Sequence, residues 1–289
     1  MLYNPYSRPL EAHEAAALLN GADGYIAGLD YITREVIEQA SETLKVISRY
    51  GAGVDRVDLE AARERGITVT NTPGTNATAV CELAFAHMLC LARSIPRLDK
   101  AVKNGEWPRN SGTELKGKTL GIIGFGAIGK NLAVRAKAFG MKVIAYDPYF
   151  DAAFAEREGV RRTELDGVIR ESDFISLHVP LTAETKNMIS ENQIEMMKDG
   201  AYLINTARGG LIDEAAAARA LRSGKLGGIG LDAFETEPVT DSALSGLDNV
   251  VMTPHTGAHT NEAVTAMGIM AVKNVIDVLE GRNCGNIVV

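Results

Sequence analysis

The chain has 289 residues, 46% of them hydrophobic and 23% charged, and a formal net charge of −7. That length suggests two domains with a sizeable core, and the acidic balance without a long basic run excludes an electrostatic nucleic-acid footprint. Three cysteines, Cys81, Cys90 and Cys284, show no CxxC spacing, which argues against a disulfide framework or a metal site and for reduced thiols in the cytoplasm.

The first residues have neither the charged start nor the apolar segment of a signal peptide. The most apolar stretch, 79–92, contains Glu82 and His87 and is too short to span a bilayer, so no membrane partner is expected.

In chain order, the sequence predicts a strand over 24–28, a helix over 34–41, a strand over 44–49, a helix over 59–65 and a strand over 67–71. Short apolar runs alternating with helix-period segments argue an open α/β unit. A long helical stretch follows over 76–104, with a bend expected at Pro96. Along it Ala84, Phe85, Met88, Leu89 and Ile95 recur at helical spacing, a face to be buried either within the chain or across a dimer. Six more strands are predicted over 120–124, 142–147, 174–179, 201–206, 228–233 and 250–253. Helices lie between them, including 127–139 and 213–223, the latter closed by Gly224. Nearly continuous hydrophobicity in these strands fits a parallel sheet covered on both faces, a Rossmann-type doubly wound α/β fold. A last helix is predicted over 263–280, ended by Gly281.

Gly124-Phe125-Gly126-Ala127-Ile128-Gly129 joins the strand over 120–124 to the helix over 127–139, and Asp147 ends the next strand, 18 positions after Gly129. A dinucleotide needs this layout. The first glycine makes the turn, the second admits a pyrophosphate to the backbone, and the third lets the helix pack on the strand. Asp147 can take the ribose hydroxyls and repels a 2′-phosphate. No lysine or arginine stands beside it in Asp147-Pro148-Tyr149-Phe150, so NAD is expected rather than NADP.

Three polar residues stand just past later strands: Arg208 before Gly209-Gly210, Glu237 before Pro238, and His255 after Thr253-Pro254. Ligands of an open parallel sheet lie outside the carboxyl ends of its strands, so the three share one crevice. Together they suit hydride transfer to a carbonyl. His255 supplies or takes the proton, Glu237 holds the ring and favours imidazolium, and Arg208 forks onto the substrate carboxylate. Taken singly, His255 reads equally as a turn residue, Glu237 as a solvated loop acid and Arg208 as a helix-end or surface partner.

The runs Asn205-Thr-Ala-Arg-Gly-Gly-Leu-Ile-Asp-Glu, Gly230-Leu-Asp-Ala-Phe-Glu-Thr-Glu-Pro and Thr253-Pro-His-Thr-Gly-Ala resemble the D-isomer-specific 2-hydroxyacid dehydrogenases. Ser48-Arg-Tyr-Gly-Ala-Gly-Val-Asp-Arg-Val-Asp and Asn71-Thr-Pro-Gly resemble the same family's substrate domain. The resemblance covers nearly the whole chain. It is strongest to the members acting on 3-phosphoglycerate and 3-phosphohydroxypyruvate, without their C-terminal regulatory domain.

The resemblance implies an NAD-binding domain over 75–259, inserted in a smaller flavodoxin-like α/β substrate domain built from 1–74 and 260–289. It implies a strand and helix ahead of the segment that starts near Glu11, so the smaller sheet is expected to lack its first strand. It makes Arg208 the substrate binder, Glu237 the partner and His255 the acid/base. It also puts Asp232 near the nicotinamide, with Thr206, Ala207, His178, Val179, Pro180, Thr185 and Gly257 among the cofactor-binding positions. His178 reads equally as a residue packed under its loop.

The Gly51-Ala52-Gly53 loop, a bare turn on its own, is implied to offer N–H groups to the substrate carboxylate, with Tyr50 beside it. Arg49 reads two ways, as a surface charge closing a strand or as a site for a second anionic group. Arg56 departs from the family's usual asparagine, and His259 is read as a surface residue. The family pattern implies a homodimer through the cofactor domain. Within it, hydroxypyruvate or glyoxylate reduction is the nearest alternative activity, and a co-repressor-like scaffold that senses NAD is the alternative of another class.

Overall fold

The computed structural model describes residues 2–6 and 8–289. They form two units: the residues up to Asn76 with His259–Val289, and Ala77–Ala258.

In the smaller unit come helix α1 (Ala12–Leu19), strand β1 (Gly24–Ala27), α2 (Arg34–Gln39), β2 (Val46–Arg49), α3 (Leu59–Glu64) and β3 (Thr68–Thr70). The strands make a parallel sheet in the order β1-β2-β3. Ile47 and Val69 point to the face where Val36, Ile37, Ala61 and Ala62 supply the core. Thr33 and Asp58 start α2 and α3 by accepting a backbone N–H of the first turn, each cap worth about 1 kcal/mol.

The larger unit opens with α4 (Ala77–Arg93) and α5 (Ile95–Lys103) where one bent helix was expected. The break falls at Ser94, left-handed at φ 52°, and the two helices bend by 63°. Pro96 is not the hinge. It sits in the first turn of α5, where a missing N–H breaks no helical bond. Ala84, Phe85 and Met88 are buried within this unit, whereas Ile95 is half exposed.

There follow β4 (Thr119–Ile123), α6 (Ala127–Ala138), β5 (Lys142–Tyr146), α7 (Ala152–Glu158), β6 (Arg161–Arg162) and α8 (Leu165–Glu171). Next come β7 (Phe174–Leu177), α9 (Glu191–Met196), β8 (Ala201–Asn205), α10 (Glu214–Ser223), β9 (Leu226–Leu231) and β10 (Val250–Met252), and α11 (Asn261–Leu279) belongs to the smaller unit. The seven-stranded sheet runs β10-β9-β8-β7-β4-β5-β6, parallel throughout.

Its two faces bury separate cores. Ile123, Ile175 and Leu203 meet α8, α9 and α10, while Leu120, Ile122 and Phe174 meet α4 and α6. β6 is the strand that hydrophobicity could not reveal, because it is two exposed arginines pairing with Ile144 and Ala145. The chain winds outward from β4 in both directions, so the carboxyl ends of β4 and β7 flank the switch point where such sheets bind ligands. No single helix among the described residues is long and apolar enough to cross a membrane.

Candidate active site

Just past β4, Gly124 turns the chain at φ 98°. A Cβ there would lie 2.5 Å from the His178 carbonyl oxygen, and one on Gly129 would lie 2.2 Å from the Gly124 oxygen. The turn and the start of α6 therefore close on one another only with glycine at both positions. Gly126 is the N-cap of α6 with no side-chain cap, and the space where its side chain would stand is open. An uncapped helix start preceding Ala127 and Ile128 is a fitting cradle for a pyrophosphate.

Asp147, one residue past β5, accepts from Phe125 N at 2.6 Å and from Tyr149 N at 2.7 Å, which fastens it to the glycine turn. Phe125 was not singled out from sequence. Its ring stacks on Phe150 with centroids 5.1 Å apart. Basic groups absent from the local sequence also reach this loop in space. Lys130 pairs with Asp151 at 2.6 Å, and the Arg162 guanidinium lies 5.4 Å from the Phe150 ring centre.

Past β7, His178 donates its backbone N–H to Ile123 O at 2.7 Å, and Val179 packs beside Gly124. The His178 Nε2 lies 2.9 Å from Ser176 Oγ, while Nδ1 is out of reach of solvent and has no partner among the described residues. Burial pushes this ring's pKa down to about 3, so it is neutral. Thr185 folds the following loop, accepting from Thr182 N at 2.8 Å and donating to Pro180 O at 2.7 Å. Past the neighbouring β8, the Thr206 hydroxyl is likewise buried without a partner among the described residues. Two orphaned polar atoms at adjacent strand ends fit a polar cofactor such as NAD.

The Asn205 side chain brackets the turn that carries Arg208. Its Oδ1 accepts from Ala207 N at 3.0 Å and its Nδ2 donates to Arg208 O at 2.7 Å. Arg208 Nη1 donates to Ala207 O at 2.8 Å. Gly209 lies flat against the Phe234–Glu235 backbone, where a Cβ would fall 1.9 Å from Phe234 O. The Phe234 N–H in turn donates to Glu237 Oε1 at 3.2 Å.

Both Glu237 oxygens face the histidine, at 2.8 and 3.0 Å from His255 Nδ1. A carboxylate only accepts, so Nδ1 carries the proton and Nε2 is left for a ligand. His255 stands at φ 50°, a left-handed conformation that costs a non-glycine residue about 1 kcal/mol. Asp232, buried at the end of β9, holds its flanks. It accepts from Thr253 Oγ1 at 2.6 Å, Thr256 N at 2.8 Å and Gly257 N at 2.7 Å. Behind Thr253, His87 Nε2 of α4 lies 3.2 Å from the same hydroxyl. Asn205, Gly209, Thr253 and His87 hold these turns and were not singled out from sequence, although Asn205, Gly209 and Thr253 stood within quoted motifs.

In the smaller unit, two expectations need correction. Arg49 is buried, so its reading as a surface charge is wrong; Nη1 donates to Ala27 O at 3.2 Å and to Tyr50 O at 2.6 Å. Gly51 does not offer its N–H outward, because it donates to Thr72 Oγ1 at 2.9 Å. That leaves Ala52, which is exposed, and Gly53 to carry the loop's expected role. The Tyr50 hydroxyl donates to Val264 O in the first turn of α11 at 2.8 Å. Arg56 donates to Leu29 O at 2.7 Å and covers the Tyr31 ring. His259 is exposed. No group of three or more His, Cys, Asp or Glu side chains among the described residues could hold a metal ion.

Comparison with known proteins agrees with this geometry. The family model of the D-isomer specific 2-hydroxyacid dehydrogenase NAD binding domain matches residues 85–257. The chain is 48% identical over 260 residues to D-3-phosphoglycerate dehydrogenase of Methanocaldococcus jannaschii, covering 89% of this chain and 49% of that protein. It thus spans about half the length of that relative. It is 50% identical over 250 residues to hydroxypyruvate reductase of Thermotoga maritima, covering 84% of this chain and 80% of that one. The crystal structure of D-lactate dehydrogenase from Aquifex aeolicus, complexed with NAD and lactic acid, matches with a TM-score of 0.86 at 36% identity, covering 94% and 88% of the two chains. With a nucleotide turn, a parallel seven-stranded sheet and these matches, the chain belongs to the D-isomer specific 2-hydroxyacid dehydrogenase family.

Proposed function

We propose that this chain interconverts a small D-2-hydroxy acid and its 2-keto acid, with 3-phosphoglycerate and 3-phosphohydroxypyruvate as the pair. NAD, when bound, takes up or delivers the hydride at the substrate's second carbon. The chain's own residues do the rest. His255 Nε2 gives a proton to the keto oxygen in reduction and takes it from the hydroxyl in oxidation, a role typically worth about 10²–10⁴-fold in rate. Glu237 orients the ring through Nδ1. Arg208 grips the substrate carboxylate. The single observation that carries this reading is the His255–Glu237 pair, which fixes the tautomer of an imidazole standing at a strand end of a nucleotide-binding sheet.

The glycine turn, Ala127, Ile128 and Asp147 are assigned to the pyrophosphate and ribose. His178, Val179, Pro180, Thr185, Thr206, Ala207, Asp232 and Gly257 are assigned to the rest of the cofactor. The Asp147 charge favours NADH over NADPH. The loop of Tyr50, Ala52 and Gly53 is assigned to the substrate's carboxylate, and Arg49 to its second anionic group. A cytoplasmic homodimer formed through the larger unit accords with exposed Ile95, Val102 and Trp107 in and just after α5. Hydroxypyruvate is the second reading, favoured by the 50% identity to a hydroxypyruvate reductase.

The test is NADH oxidation by the purified chain with phosphohydroxypyruvate, hydroxypyruvate and glyoxylate. The expected result is turnover of all three, with the highest kcat/KM for phosphohydroxypyruvate and a clear preference for NADH over NADPH. Tight NADH binding without turnover of any keto acid would instead make the chain a nucleotide-sensing scaffold.

A further inference from the structure

His87 is out of place on its helix. The buried face of α4 is otherwise Ala77, Ala79, Val80, Cys81, Ala84, Phe85, Met88, Leu91 and Ala92, and a polar ring in such company loses its hydration unless something holds it. What holds it is one hydroxyl. His87 is 2% exposed, its Nε2 lies 3.2 Å from Thr253 Oγ1, and its Nδ1 has no partner among the described residues. The ring lies against the backbone of β9, where a Cβ on Gly230 would come within 3.0 Å of Nδ1.

The direction of each proton follows. Thr253 has a single hydroxyl proton, and the 2.6 Å contact to the Asp232 carboxylate claims it, because a carboxylate can only accept. The Thr253 oxygen must then accept from His87, so Nε2 is the protonated nitrogen and the bare Nδ1 faces Gly230. The desolvated site disfavours a second proton on this ring, a tendency that the Asp232 charge partly opposes. Asp232 is also the carboxylate that accepts the N–H groups of Thr256 and Gly257, on the far side of His255. The acid/base residue therefore hangs in its left-handed turn between two anchors on one carboxylate, and His87 is the outer end of one of them.

We propose that His87 is a positioning residue of this site: a fixed Nε2–H donor that locks Thr253 onto Asp232 and so holds His255 in the turn that aims it. The inference rests on the acid/base reading of His255 given above. It predicts that the chain His87–Thr253–Asp232 acts as a unit, so that cutting it at either link has the same effect.

The experiment compares His87→Leu, His87→Gln, Thr253→Val and the double variant His87→Leu/Thr253→Val in NADH oxidation with phosphohydroxypyruvate and hydroxypyruvate. His87→Leu is expected to lower kcat about tenfold and to leave the keto-acid KM within about twofold, because orientation rather than binding is lost. Gln, whose amide nitrogen can stand near the Nε2 position, is expected to recover most of that loss. The double variant should be no slower than the slower single one. Nitrogen-15 NMR of the imidazoles at neutral pH should show His87 as the Nε2–H tautomer.

Wild-type kcat in His87→Leu, multiplicative losses in the double variant, or an Nδ1–H tautomer would each overturn the proposal. If His87→Leu does not fold, the comparison of His87→Gln with Thr253→Val still decides it: equal losses in both contradict a donor role. His255→Gln separates the two levels. Full turnover in that variant overturns the acid/base reading and this inference together, whereas a dead His255→Gln beside a fully active His87→Leu overturns this inference alone.

Discussion

Each unit carries an arginine followed closely by glycine at the end of a parallel strand, and the two are used differently. Arg49 is the last residue of β2, paired in register with Ala27, and its guanidinium turns back onto the carbonyls of Ala27 and Tyr50. Arg208 stands three residues past β8, on a turn that Asn205 brackets and that Gly209 presses onto the Phe234 backbone. A residue inside the ladder has its direction set by the pleat, whereas one on a bracketed turn is aimed by the turn. An arginine within two residues of a glycine at a strand end thus has two structural meanings, and its distance from the strand end decides between them.

The comparison can be broken at its strongest point with Gly209→Ala. A Cβ 1.9 Å from a backbone oxygen cannot be accommodated by moving a side chain. The expected loss is about 3 kcal/mol of stability, read by denaturant unfolding, with keto-acid turnover falling in whatever protein remains folded. Normal stability would show that the turn is looser than drawn.

Arg208→Ala comes next. Loss of a charge-assisted contact to substrate is expected to lower kcat/KM about 10²-fold, with the unfolding midpoint almost unchanged. A stability loss without a kinetic one would make Arg208 a structural residue like its counterpart. For Arg49→Ala the balance should invert. The Tyr50 carbonyl loses its guanidinium donor and the Ala27 carbonyl keeps only the Tyr50 N–H, at a cost of about 2 kcal/mol, and the preference for a phosphorylated keto acid should weaken while simple keto acids still turn over. An unchanged substrate profile would remove Arg49 from the binding surface and leave it only the structural role.

The last effect concerns pH and is spread over several pH units. The buried His178 ring has its pKa pushed down to about 3, below the ordinary histidine value of 6.5 that it regains on unfolding. Between those values the unfolded chain binds a proton that the folded chain refuses, so stability falls as pH drops through this window and is unaffected above it. The slope is about 1.4 kcal/mol per pH unit at most. His178→Phe should flatten that part of the stability curve between pH 6 and 4; an unchanged slope would show that His178 takes up its proton while folded.

Much of the larger unit was legible in the sequence because it is regular. Apolar runs mark β4, β5, β7, β8 and β9, and the glycine spacing with Asp147 marks the turn between β4 and α6. What escaped has a physical reason in each case. β6 is two arginines and carries no hydrophobic signal. The helix break moved from Pro96 to Ser94 because proline is at ease in a first helical turn, while a left-handed serine has no signature. The Arg208, Glu237 and His255 set could be named from motifs, but the contacts that hold their turns could not. Asn205, Gly209 and the Asp232–Thr253–His87 chain exist only once β8, β9, β10 and α4 are packed together. Gly51 misled because glycine permits an outward N–H without requiring one.

The most direct measurement is His255→Gln, assayed side by side for NADH affinity and for keto-acid reduction at saturating NADH. A strand-end imidazole whose Nδ1 is committed to Glu237 can exchange its proton only through Nε2, so kcat should fall at least about 10²-fold while the NADH dissociation constant stays within about twofold. Turnover at the wild-type rate would contradict the account, since proton exchange with the keto oxygen would then have to come from elsewhere.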